Sequence, residues 1–300
     1  HTYDELEKLL LRLKEKKTIS TDSKILFVDD GSVDKTWEKI TDLHNRDRSS
    51  VAIRLSHNQG HQNALLAGMM YAMNYCDCII TLDADLQDDI EVIPELLSKF
   101  VQGNQIVYAV RKDRSKDSFF KRSSAQAFYK LMNVLGAETI YNHADYRLMS
   151  KKALKALSSY SEVNLFLRGI VPLIGMQSDV VYYERKERTA GQTKYPFNKM
   201  LRFAANGITS FSVKPLRVIS IAGIICSGFS IIGLLYALIS FFVGNVVPGW
   251  TAIVCSIWLL SGIQLLCIGV LGEYIGKIFS EVKQRPRYFI DDELNNEKDQ

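Results

Sequence analysis

Apolar residues in the first part of the chain recur in two alternating rhythms. "KILFV" (24–28), "VAIRL" (51–55), "CIITL" (78–82) and "IVYAV" (106–110) are short, rich in Ile and Val, and bounded by polar turn residues. That pattern predicts strands. Between them, "DKTWEKITDLHNRD", "HQNALLAGMMYAMNY" and "IEVIPELLSKFVQG" carry apolar residues at helical spacing and predict helices. Asp34 is placed to cap the first of these. Tyr3–Lys16 also reads as a helix, so the chain starts on a helix. Alternating strand and helix predicts a mostly parallel sheet covered by helices, with any ligand at the carboxyl ends of the strands.

The pattern changes near residue 217. Val218–Gly272 contains no Asp, Glu, Lys, Arg or His, and it divides into Val218–Val243, the turn "GNVVPG", and Trp250–Gly272. Each half exceeds the ~20 apolar residues that cross a bilayer, so two transmembrane helices are expected. Lys199, Arg202, Lys214 and Arg217 precede the pair, and Lys277, Lys283, Arg285 and Arg287 follow it. Positive-inside logic then puts both termini and the remainder of the chain in the cytoplasm. Trp250 and Tyr274 are candidate interface anchors. Phe197, Met200, Leu201, Ala204, Ile208 and Phe211 recur at helical spacing, which suits a helix lying in the headgroup plane. Residues 118–136 carry a weaker version of the pattern. The expected organisation is a cytosolic domain (1–195), an interfacial helix (196–217), a transmembrane hairpin (218–276) and a cytosolic tail (277–300), disordered at its acidic end "DDELNNEKDQ".

The net charge of +4 on 300 residues is modest, and no nucleic-acid partner is expected. None of the five cysteines has zinc-site spacing with histidine, and free thiols are expected. Gly223, Gly228, Gly262 and Gly269 could let the spans pack closely, which leaves a homo-oligomer open.

The chemistry-bearing residues cluster at the ends of the expected strands. In "TLDADLQDD", Asp83 and Asp85 stand two apart and can point into one cleft, with Gln87 adding a neutral oxygen. Hard oxygen ligands of this kind suit Mg2+ or Mn2+ bridging substrate phosphates; a solvated turn is the plain alternative. Asp88 and Asp89 are placed to start the next helix. In "VDDGSVDKT", Asp29 and Asp30 end a strand and Gly31 permits a tight turn, either as a simple junction or as a nucleoside pocket. "SHNQGHQNALLAGM" offers Asn58, with Gly60 and Gly68 allowing close backbone approach. His57 and His61 have helical spacing, and a polar loop and helix start is preferred to a metal site. Arg111, Lys121, Arg122, Arg185, Lys186, Arg188 and Lys194 are either a solvated charge run or two phosphate sites. Asp145 and Arg147 form either a structural ion pair or a catalytic carboxylate with its phosphate-binding arginine.

Taken in order, "VDDGSxDxT", "SHNQGHQNALLAGM", "LDADLQ", "DYRLMSKKAL", "RTAGQTKYP" and "GVLGEYIGKIFSEVKQRPRYFI" resemble the bacterial polyisoprenyl-phosphate glycosyltransferases of glycosyltransferase family 2, relatives of dolichol-phosphate mannose synthase. The likeness runs from about residue 3 to about residue 290. It implies an α/β fold of GT-A (Rossmann-like) type with helices on both faces of the sheet. It also implies metal-dependent, inverting transfer of a hexose from a nucleotide sugar to undecaprenyl phosphate at the plasma membrane of a bacterium. The donor implied is UDP-glucose or a UDP-N-acetylhexosamine.

By the same resemblance, Asp29, Asp30, Asn58 and Asp83 would hold the nucleotide, and Asp83, Asp85 and Gln87 the metal. Arg188 and Lys194 would hold the donor phosphate; Arg111, Arg122 and Arg147 the acceptor phosphate. Asp145 would be the catalytic carboxylate, acting as a base or orienting the acceptor. Members of the family also open with a strand ending in a Pro-x-Tyr-Asn-Glu type motif. Nothing in this sequence precedes the first helix, so residues ahead of His1 and a hole in the sheet are expected. Two other readings stand beside this one. A processive polysaccharide synthase usually carries Gln-x-x-Arg-Trp ahead of the membrane, and none occurs between Asp145 and Pro215. A silent nucleotide-sugar-binding scaffold would fit the missing strand.

Overall fold

The computed structural model describes residues 2–47, 49–112, 143–162, 166–184 and 249–295, with scattered positions between 216 and 243. Helix α1 (Thr2–Glu15) leads into strand β1 (Ile25–Asp29), α2 (Thr36–Arg46), β2 (Ser50–Leu55), α3 (His61–Ala72) and β3 (Cys78–Thr81). A single 3-10 turn (Ile90–Val92) opens α4 (Ile93–Val101), followed by β4 (Ile106–Arg111). Strand β5 (His143–Ser150), helices α5 (Lys151–Ser158) and α6 (Leu167–Leu173), and β6 (Ser178–Tyr183) come next. The chain ends on α7 (Trp250–Val282) and β7 (Ile290–Leu294).

The four expected strands and four expected helices form within a few residues of where the pattern put them. The sheet does not form as expected. Among the described residues only β1–β2 and β4–β6 pair in parallel, whereas β3–β5, β4–β5 and β2–β7 are antiparallel. The expectation of a mostly parallel sheet is therefore corrected to a mixed one. The cause is β5, which enters between β3 and β4 in the opposite direction, and β7, which runs back along β2. The strands form two sheets, β1-β2-β7 and β3-β5-β4-β6. Among the described residues, β1 and β3 are each paired on one side only, and α3 packs against both.

Alternation along each strand sorts the core. Phe27 meets the ring of Tyr3 on α1, while its neighbours Leu26 and Val28 face α3, where Gly68 leaves just enough room for them. On the second sheet, Val107, Ala109, Tyr146, Leu148 and Val181 pack with Leu9 and Leu13 of α1 and Leu96 and Leu97 of α4. Leu9 and Leu13 stand one helical turn apart, which is why α1 forms here with one buried stripe. The other face of β5 carries Asp145 and Arg147 and looks toward the start of α6, whose Leu167 carbonyl accepts from Arg147.

Residues 284–295 belong to the first of two compact units, together with the elements from α1 to β6. The first part of the tail expected to be disordered instead folds back as β7, pairing Ala52 with Leu294 and Arg54 with Asp292, and residues 296–300 lie outside the described residues. Arg287 donates to the Tyr160 carbonyl at 2.7 Å and Asn295 to the Tyr71 hydroxyl at 2.9 Å. Acidic residues suit this outer strand, because charge on a sheet edge discourages pairing with other chains.

The second compact unit comprises residues 130–137 and 196–283. Its helix α7 contains a 23-residue stretch, Leu260–Val282, of mean hydropathy 1.4, long and apolar enough to cross a membrane. The helix continues past the expected end at Gly272, and its Ile253, Ile263, Leu265, Ile268 and Ile275 are all exposed. The described positions between 216 and 242 are also helical, but most of the first expected span lies outside the described residues. So do both expected interfacial helices.

Candidate active site

Two loops lock together at the ends of β1 and β2. Asp30 accepts from the backbone N–H groups of Gln59 (2.8 Å) and Gly60 (2.9 Å). Gly31 adopts φ +63°, and a Cβ there would lie 2.5 Å from the His57 carbonyl carbon. Only glycine lets the first loop lie flush on the second. Asp29 is buried, accepts from Ser32 N–H at 3.3 Å and lies 3.6 Å from Arg54 Nε. Asn58 is exposed beside this junction, so Asp29, Asp30 and Asn58 are brought together. Asp34 accepts from Thr36 N–H at 2.9 Å and closes the turn into α2.

The second cluster centres on Asp145, which α3, β5 and α6 surround. Strand alternation puts Asp145 and Arg147 on one face of β5. Arg147 Nη2 donates to Asp145 Oδ1 at 2.7 Å. Arg168, on α6, donates through Nε to Oδ1 (3.2 Å) and through Nη2 to Oδ2 (3.0 Å). His61 Nε2 lies 3.0 Å from Oδ2, and Gln62 Nε2 donates to it at 3.4 Å. Gln62 Oε1 in turn accepts from Leu167 N–H at 3.0 Å, which ties α6 to α3. Thr81 of β3 donates its hydroxyl to the Asp145 carbonyl. Burial alone would raise the Asp145 carboxyl. The His61 hydrogen bond and the Arg168 and Arg147 charges override burial and hold it well below the usual carboxylate range.

His61 also reaches Asp83, at 3.9 Å from Oδ1. It therefore joins the end of β3 to the middle of β5. Its hydrogen bond to Asp145 raises its pKa against the opposing effect of burial. His57 instead contacts Ser56 and Gln59, so the two histidines serve different partners. Asp83 is pushed upward by burial, against the opposing charge of His61, and further by the negative charges of Asp88, Asp145 and Asp85. Asp85 is exposed and its carboxylate accepts from Gln87 N–H at 3.2 Å, while the Gln87 side chain is buried. Between them, Leu86 has φ +52°, a left-handed conformation costly for a side chain of this size.

A third group lies beside the "DADLQDD" loop. Arg111 donates to Asp88 Oδ1 at 3.0 Å and to the Tyr183 hydroxyl at 3.0 Å, and that hydroxyl donates to the same Asp88 oxygen at 2.5 Å. Asp88 was expected to start a helix; it is buried and holds Arg111 instead, and Asp89 alone caps the turn into α4.

One expectation for phosphate binding changes here. Arg147 is fully buried, at 0% exposure, and its charge is spent on Asp145, so it is corrected from phosphate ligand to buried counter-ion. Arg111 is at the site but already carries a carboxylate partner. Arg122, Arg188 and Lys194 lie outside the described residues. Arg168 is not among the residues that the sequence motifs single out, although it is the one charged residue within the run "NLFLRGIVPL", a pattern that marks a paired or functional charge.

Among the described residues no group of three His, Cys, Asp or Glu side chains is gathered to hold a metal. The donors that are present still fit a hard cation. Mg2+ is commonly held by one or two carboxylates plus substrate phosphates, and charge is crowded around Asp83.

Known proteins bear on this arrangement. Residues 2–158 match the pattern of glycosyl transferase family 2. The chain is 52% identical to the uncharacterized glycosyltransferase YkoT of Bacillus subtilis over 297 residues, 99% of this chain and 88% of that one. It is 43% identical to the SfII prophage-derived bactoprenol glucosyl transferase of Shigella flexneri, over 89% of this chain and 86% of that one. A prophage bactoprenol glucosyl transferase homolog of Escherichia coli is 42% identical, over 90% and 89%. A family match across half the chain, at the strand ends that carry the clustered acids, agrees with relatives that match it almost end to end: the chain belongs to glycosyl transferase family 2.

Proposed function

We propose that the chain transfers a hexose from a nucleotide sugar, UDP-glucose or a UDP-N-acetylhexosamine, to polyprenyl phosphate, with undecaprenyl phosphate as the acceptor. The observation that carries this reading is His61, which meets both Asp83 and Asp145 and so draws the end of β3 and the middle of β5 to one point next to the Asp30 loop. The bactoprenol glucosyl transfer for which the Shigella and Escherichia relatives are named supports the lipid acceptor. Helix α7 supports anchoring in a membrane; the charge-free run Val218–Gly272 and its basic flanks support two spans, with the catalytic unit in the cytoplasm of a bacterium.

The chemistry is one in-line displacement. A phosphate oxygen of the lipid attacks the anomeric carbon, and a new C–O bond forms as the bond to the diphosphate breaks. The nucleoside diphosphate leaves with the electron pair. A phosphate monoester has its second pKa at ~6 and is already largely dianionic at neutral pH. No general base is then required. Asp145, with its oxygens engaged by two arginines, His61 and Gln62, orients these groups instead of removing a proton. Asp29, Asp30 and Asn58 take the nucleoside side. Arg188 and Lys194 take the donor phosphates, and Arg111 and Arg122 the acceptor phosphate. Asp83 and Asp85, with Gln87, would hold Mg2+ or Mn2+. When bound, that cation offsets the charge that builds on the leaving diphosphate.

The test uses purified full-length chain, undecaprenyl phosphate and a panel of radiolabelled nucleotide sugars. Label should pass into the lipid phase, and should stop doing so after chelation and in Asp85→Ala. Near-wild-type transfer by Asp85→Ala overturns the cation assignment. No transfer from any donor overturns the reading itself.

A further inference from the structure

Arg168 is held in an unusual way. Its neighbours on α6, Leu167, Gly169, Ile170 and Val171, are buried, yet its own side chain remains 37% exposed. The side of the guanidinium formed by Nε and Nη2 lies against Asp145. A guanidinium has five N–H donors in a fixed planar fork. This contact uses one on Nε and one on Nη2. The edge formed by Nη1 and the second Nη2 hydrogen points elsewhere, and among the described residues no acceptor takes Nη1.

The charge balance leaves that edge positive. Asp145 carries one negative charge, and the fully buried Arg147 already matches it. His61 adds a further contact on the same carboxylate. Arg168 is therefore surplus positive charge, aimed by Asp145 without being consumed by it. Arg111 makes the contrast: it is matched with Asp88 and further engaged by Tyr183.

We propose that Arg168 is an oxyanion-binding residue that presents its outward N–H edge to a phosphate oxygen of a reactant, with Asp145 as its positioning residue. Two parallel N–H donors in a plane match the spacing of phosphate oxygens, a fit that a lysine cannot reproduce. The identity of the phosphate rests on the proposed transfer reaction, which supplies two: the monoester of the lipid acceptor and the diphosphate of the donor.

The experiment measures binding to the full-length chain in lipid nanodiscs. Undecaprenyl phosphate and UDP are titrated separately into the wild type, Arg168→Gln and Arg168→Lys. Arg168→Gln should weaken one of the two ligands about 10- to 100-fold, the usual effect of losing a charged hydrogen-bonding group. Arg168→Lys keeps the charge but loses the fork and should fall between. Thermal midpoints should stay near wild type, because Arg147 and His61 still hold Asp145. A loss confined to undecaprenyl phosphate assigns Arg168 to the acceptor; one confined to UDP assigns it to the donor. Unchanged affinity for both ligands in Arg168→Gln overturns the proposal. So does a loss that merely tracks a fall in thermal midpoint, or a wild type that binds neither ligand. If the wild type makes no lipid-linked sugar from any donor, the transfer reading fails, and the binding comparison still decides the role of Arg168.

Discussion

Arg147 Nη2 sits 2.7 Å from Asp145 Oδ1, and both side chains are sealed from water. The two partners are not equivalent. Asp145 has other cationic neighbours in Arg168 and His61, whereas the only carboxylate on Arg147 is Asp145 among the described residues. Asp145→Asn should therefore strand a buried charge and cost about 3–5 kcal/mol. Arg147→Met should cost less, since Asp145 keeps two partners. Chemical unfolding of both variants in detergent checks the order. A larger loss in Arg147→Met would contradict it.

The same carboxylate gives stability a pH dependence. Asp145 is more acidic folded than unfolded, where its value is about 3.9. The unfolded chain thus binds the extra proton, and stability rises with pH through this window. The contribution is complete above about pH 4 and fades as the pH falls toward the lower folded value. Thermal midpoints of the wild type should drop on acidification below that point, with a shallower drop in Asp145→Asn.

Gly31→Ala tests the interlocked loops. A side chain at φ +63° costs about 1–2 kcal/mol, and its Cβ would lie 2.5 Å from the backbone of His57. The loop holding Asn58 must move. The expected result is a raised KM for the nucleotide sugar with a smaller change in kcat. Wild-type kinetics in this variant would mean that the two loops do not form the donor pocket.

Strand β7 makes its own prediction. A chain ended after Phe289 loses the pairing of Ala52 and Arg54 with Leu294 and Asp292, and the Asn295–Tyr71 bond. At about 1 kcal/mol for each net hydrogen bond, stability should fall by about 2–4 kcal/mol. The bare β2 edge should also promote aggregation. Thermal scanning and light scattering measure both.

What could be read from the sequence follows from how each strand is buried. β1 to β4 are apolar runs between turns, and the pattern finds them. β5 was missed because "HADYRLMS" carries Asp145 and Arg147 in the middle of a central strand, where charge is tolerated only when paired. The two charges stand within one local window, but the place of their strand between β3 and β4 is a tertiary fact that no such window contains. β7 was missed for a different reason: "IDDEL" has the composition of a disordered tail, and only β2 makes it a strand. At the site, the motif acids were legible as a set. Their division of labour was not, because Asp88 and Asp89 are adjacent in sequence yet one is a buried anchor for Arg111 and the other a helix cap.

The most direct measurement is mass spectrometry of the lipid made by the full-length chain from undecaprenyl phosphate and a panel of UDP and GDP sugars. The account predicts one new species, the acceptor carrying a single hexose or N-acetylhexosamine through a phosphodiester, formed from one donor in preference to the others. A ladder of longer glycans, or an unchanged acceptor with every donor, would contradict it.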